Sequence, residues 1–219
     1  MKLAWDKTTE KLYETGIEQV ALYPQVDGTY PKGVAWNGVT ALNLTPSGAE
    51  PTPLYANNKK YLTLMSTEEL GGTIEAYTYP EEWAACDGSI AVGEGVYIGQ
   101  QPRQHFGLVG KTLIGSDSEG TKKGYKLHLV YGGLASPAEQ ANATINESVE
   151  AKTMSWEFST TPVSVTGYED TSYICVDSTK VDATKLKALE AKLYGDAESE
   201  PKLPLPEEVF TILGVVAAG

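Results

Sequence analysis

Hydrophobic and polar positions alternate along much of this chain. In Gly124-Tyr125-Lys126-Leu127-His128-Leu129-Val130-Tyr131-Gly132, Tyr125, Leu127, Leu129 and Tyr131 share one face, while Lys126, His128 and Val130 share the other. A period of two bounded by glycines predicts a half-buried strand. Thr153-Met154-Ser155-Trp156-Glu157-Phe158-Ser159-Thr160 repeats the pattern with Met154, Trp156 and Phe158 inward. Residues 61–65, 73–79, 106–114 and 172–176 predict four more strands, and 17–23 and 34–44 two near the N-terminus. Gly71-Gly72 predicts a turn between two of them, and residues 115–120, Gly-Ser-Asp-Ser-Glu-Gly, a hairpin with a longer loop. Strands joined by hairpins make antiparallel sheets, so the predicted fold is mainly β: an antiparallel sandwich or barrel with one or two flanking helices.

The helical period appears at residues 182–194. Leu186, Leu189 and Leu193 fall on one stripe, Asp182 is placed to cap the first turn and Gly195 to stop the last. A shorter helix is expected from Pro80, with Glu81 and Glu82 in its first turn, Trp83 reaching the core and Asp87-Gly88 ending it. Residues 45–60 carry three prolines, a glycine and no periodicity, which predicts a long loop projecting from a single domain spanning 1–219. Pro46, Pro51 and Pro53 stiffen it and remove backbone donors, so an ordinary hairpin is not expected there. Leu54 and Tyr55 are its apolar anchors, and Lys59 and Lys60 its cationic end. A helix-plus-extension over 182–219 closes the chain. Its apolar stretch Val209-Phe210-Thr211-Ile212-Leu213 requires burial.

Charge narrows the function classes. The 219 residues hold 17 Lys+Arg against 29 Asp+Glu, a net −12. That acidity argues against a sequence-reading nucleic-acid protein, because phosphate binding needs a cationic surplus. Two cysteines, Cys86 and Cys175, are too few for a disulfide framework or a cysteine-rich zinc site, and both are expected to be buried and inert. Met1-Lys2-Leu3-Ala4-Trp5-Asp6 shows no apolar secretion core, so cytoplasmic synthesis without membrane association is expected. His105 and His128 have no second ligand at helical or strand spacing. Gly93-Glu94-Gly95-Val96-Tyr97-Ile98-Gly99 has the wrong spacing for a dinucleotide turn, and Asp117 and Glu119 lack the ligand ladder of a calcium loop. No catalytic, cofactor-binding or metal-binding residue is therefore predicted, and no enzyme activity. Trp36, Trp83 and Trp156 sit within apolar alternation, which favours core packing over a sugar-binding groove.

Several blocks carry a family resemblance. They include Lys11-Leu12-Tyr13-Glu14-Thr15-Gly16-Ile17, Gly33-Val34-Ala35-Trp36-Asn37-Gly38-Val39 and Thr73-Ile74-Glu75-Ala76-Tyr77-Thr78-Tyr79-Pro80-Glu81-Glu82. Trp156-Glu157-Phe158-Ser159-Thr160-Thr161-Pro162 and Pro204-Leu205-Pro206-Glu207-Glu208 continue it. The chain resembles the major tail, or tail tube, proteins of long-tailed phages and prophages of Gram-positive bacteria. The resemblance implies six copies per ring, rings stacked into a hollow tube, and a place in the virion. It also implies tape-measure and tail initiator and terminator proteins as partners, with DNA passing through the bore unread. In such an assembly residues 45–60 correspond to the loop that reaches from ring to ring, and the acidic charge suits surfaces that repel DNA phosphate. The alternatives are another self-assembling virion component, such as a capsid or decoration protein, and a β-sandwich carbohydrate-binding module.

Overall fold

Residues with β-branched and aromatic side chains build twelve strands in the computed structural model, which describes Leu3, Trp5 and residues 11–145 and 151–215. The order is β1 (Leu12–Pro24), β2 (Val34–Ala35), β3 (Val39–Gly48), β4 (Pro51–Ala56), β5 (Lys59–Met65) and β6 (Glu68–Ala76), then α1 (Trp83–Cys86). There follow β7 (Ile90–Gly93), β8 (Val96–Ile98), β9 (Phe106–Ser116), β10 (Gly120–Ala135), β11 (Met154–Thr160) and β12 (Tyr173–Asp177). Two helices, α2 (Ala183–Tyr194) and α3 (Pro206–Leu213), come last. The fold is mainly β and antiparallel, with flanking helices.

One eight-stranded sheet runs β2-β1-β9-β10-β11-β6-β3, with β12 beside β10. β4–β5 and β7–β8 form separate two-stranded ribbons. The main sheet curls until Leu42 of β3 and Ile17 of β1 meet over Gly110 of β9. Its inner face buries Trp36, Trp83, Phe106, Trp156 and Phe158 in one aromatic cluster with ring centroids 4.7–5.8 Å apart. The opposite face of β1, β9 and β10 buries Tyr23, Leu127, Leu129 and Tyr131 against Leu186, Leu189 and Leu193 of α2 and Val209 of α3. Alternation thus has two destinations: the odd positions of residues 125–131 lie under the helices, and Val130 joins the aromatic cluster. The helix stripe expected at Leu186, Leu189 and Leu193 is buried as predicted, and Asp182 Oδ1 accepts from the amides of Thr184 and Lys185.

Four expectations are corrected. The segment 34–44 is not one strand, because Asn37-Gly38 turns the chain, Gly38 holding φ 77°. Gly71-Gly72 is no turn and lies inside β6, where Gly72 pairs with Leu44 and Phe158. A Cβ on Gly72 would stand 2.3 Å from the Asn43 carbonyl and 2.6 Å from the Phe158 ring, so glycine here admits a close approach. Residues 45–60 are not a loop: they complete β3, form β4 and begin β5. Cys175 is exposed. Ile174 and Val176 pack toward the α2 side, which turns Cys175 to the other face.

Candidate interaction surface

The segment singled out at 45–60 belongs to a projecting β arm. The pairing of β3 with β6 ends at Gly48↔Glu68, and beyond it β4 and β5 pair alone from Pro51↔Met65 to Ala56↔Lys59. Asn57 and Asn58 close the tip with φ of 50° and 62°, the left-handed pair that a two-residue type I′ hairpin requires. The prolines fit because β4 has a partner on one side only. Pro51 and Pro53 lie two apart, so both missing amides fall on the same edge, the one turned away from β5. Pro46 sits in β3, at the end of the main sheet, opposite Leu70.

Every residue of β4 and β5 is exposed. Leu54 and Leu62 pair across one face, which Leu64 extends, while Tyr55 and Met65 lie on the other. Their exposures are large for apolar side chains: 42% for Leu54, 70% for Tyr55, 73% for Tyr61 and 68% for Met65. Lys59 and Lys60 stand beside the tip and form no ion pair with any described residue. A monomer gains nothing from so much uncovered apolar surface on an isolated ribbon, which is itself marginal in water.

A second apolar ribbon, not foreseen, is β7–β8. Ile90 and Ile98 pair across one face and Ala91 and Tyr97 across the other, all exposed. At its foot a cleft of about 460 Å³ is lined by Tyr79, Glu81, Ala84, Asp87, Ser89 and Tyr97. Tyr97 Oη donates to Glu81 Oε1 at 3.3 Å. Burial pushes the Asp87 carboxyl above its ordinary range, and nearby Arg103 only partly offsets this. The alternating strands of residues 90–98 were legible in principle, but their brevity and glycines hid them.

The remaining chemistry-bearing side chains have structural partners. His128 lies between two hydroxyls, with Thr112 Oγ1 2.7 Å from Nε2 and Tyr173 Oη 2.6 Å from Nδ1. Its burial holds the imidazole below its ordinary pKa. Lys126 pairs with Glu14 beside it. His105 contributes its backbone, the carbonyl accepting from Gln25 N at 2.8 Å. Cys86 is buried, and its thiol is pushed up to about 12 by desolvation, so it is no thiolate. Trp36, Trp83 and Trp156 are all buried, and Trp36 also reaches the wall of a cleft with Val20 and Tyr194. Among the described residues no three His, Cys, Asp or Glu side chains gather closely enough to hold a metal. No helix among them is long and apolar enough to cross a membrane.

No protein-family model matches the chain, and no curated protein matches its sequence. Its own residues carry the functional conclusion.

Proposed function

We propose that this chain is a structural protein that self-assembles through its β arm, and that the assembly is the stacked tube of a long-tailed phage tail. The single observation that carries the reading is the β4–β5 arm, a projecting ribbon with apolar side chains exposed on both faces and, at its tip, two lysines that pair with no described residue. Surface of this kind marks a contact with another molecule. The resemblance of the chain to tail tube proteins supplies the partner, further copies of itself. An antiparallel sheet with free edges at β2, β3 and β12 offers more sites for association. The net charge of −12, repeated in every copy, suits a conduit that DNA traverses without adhering. Hexameric rings, tape-measure and initiator or terminator partners, and a virion location belong to this proposal, as does the absence of enzyme chemistry.

The test replaces residues 49–67 with Asn-Gly, closing β3 and β6 into an ordinary hairpin at their last rung, Gly48↔Glu68. Both proteins should be folded by near-ultraviolet circular dichroism. The native chain should form rings or tubes by light scattering and negative-stain microscopy, and the armless variant should not. A native chain that stays monomeric at high concentration with preformed seeds, or an armless variant that stacks normally, would overturn the proposal.

A further inference from the structure

We propose, resting on the arm as the assembly element, that the arm of one copy seats in the Tyr79–Glu81–Asp87–Tyr97 cleft of a second copy, with Lys59 and Lys60 facing its carboxylates.

Topology places donor and seat at opposite ends of the same strand pair. The arm leaves β3 and β6 at Gly48↔Glu68; the other end of the ladder is Val39↔Ala76, and from Ala76 the chain passes through Tyr79 and Glu81 into α1. Ten residues of β3 separate the two ends by roughly 30 Å at the rise of a strand. A second copy displaced along this axis presents its cleft to the first copy's tip.

Charge selects this cleft over the others. Glu81 and Asp87 form no ion pair with a described residue, and neither do Lys59 and Lys60. The cleft beside Trp36 holds one carboxylate, Glu18, already bound to Lys111 at 3.1 Å. The cleft with Glu68 and Asp170 lies at the root of the arm, on the wrong end for a displaced copy. Tyr79 and Tyr97 are both exposed in the cleft, and an aromatic lining attracts an ammonium group. Tyr97 also belongs to β8, so the Ala91–Tyr97 face of that ribbon adjoins the seat. Under-compensated charge at Asp87, raised by burial despite Arg103, favours an incoming cation. Because arm and seat are different surfaces, the contact propagates head to tail and does not close on itself as a two-fold dimer would.

The experiment uses two full-length variants, Lys59→Glu with Lys60→Glu, and Glu81→Lys, both checked for fold by circular dichroism. Each alone should raise the concentration needed for assembly at least tenfold. Their equimolar mixture should assemble again, because the acidic tip fits the basic seat and the native tip fits the native seat. Independently, Asn58→Cys with Ser89→Cys in a Cys175→Ser background should give a ladder of disulfide-linked copies on non-reducing gels. Assembly of either variant at the native concentration, failure of the mixture to assemble, or absence of the ladder from assembled protein overturns the seat while leaving assembly itself intact. A native chain that never assembles overturns both proposals.

Discussion

Gly72 shows how a single residue can mean opposite things in sequence and in space. Two adjacent glycines between apolar runs signal a turn, yet here they thin the sheet so that β3 and the Phe158 ring can close on β6. Local pattern carries no record of which distant backbone will approach. Gly72→Ala should cost about 1–3 kcal/mol, the usual range for overpacking, because one obstacle is a carbonyl that cannot rotate away. Urea unfolding measures it, and a variant as stable as the native chain would show that the strands have room to part. His128 makes a second prediction. Its folded-state pKa lies below the ordinary 6.5 because burial disfavours the charged ring; Glu14 partly offsets this and Lys126 adds to it. The unfolded chain therefore binds the proton more readily, and the stability due to this group is present above pH 6.5 and lost as pH falls from there through the lower folded-state pKa. His128→Gln should flatten the fall in urea midpoint on the acid side. An unchanged slope would assign the effect to other groups. Both cysteines were expected to be buried; Cys86 is, at the end of α1, while Cys175 is exposed because β12 turns it away from the α2 side.

Elements with a strong period were legible, and those that break a local rule were not. The stripe Leu186, Leu189 and Leu193, with Asp182 before it and Gly195 after, names α2 to within a residue, because cap, face and stop all agree. Leu189 is fully buried against the outer face of the sheet, so Leu189→Ala should cost about 2–5 kcal/mol. A loss below about 0.5 kcal/mol in denaturant unfolding, typical of surface sites, would mean the helix is undocked. Helix α3 went unseen because a proline-rich approach and an apolar run suggest an extended tail. Pro206 at the first helical position, acidic residues Glu207 and Glu208 behind it and left-handed Gly214 at the end are nonetheless proper start and stop signals. The arm was misread for its prolines. Proline forbids a central strand but is admitted on the outer edge of a lone ribbon, and Asn57-Asn58 between Leu54-Tyr55 and Tyr61-Leu62 was the overlooked hairpin signal. The location of the candidate surface was thus readable while its architecture was not. The receiving cleft was invisible because it gathers residues of α1, β8 and the connections on either side of α1.

For the molecule as a whole, the decisive fact is that β9 and β10 are covered on both faces, by the aromatic cluster on one and by α2 and α3 on the other. Neither core survives without this pair, so the two should unfold together in one transition. Hydrogen exchange should find the slowest amides in β9 and β10 around Leu108 and Leu129, and the fastest in β4–β5 and β7–β8. Slow exchange throughout the arm of dilute protein would contradict its independence from the core. The arm's edges bear on how chains join. Pro51 and Pro53 deny amide hydrogens to any strand that would lengthen the ladder beyond β4, and Lys59 and Lys60 set like charges along the margin of β5. Edge-to-edge pairing of two free arms is therefore disfavoured. In the proposed assembly, growth therefore runs through an arm and its seat and not through arms laid side by side.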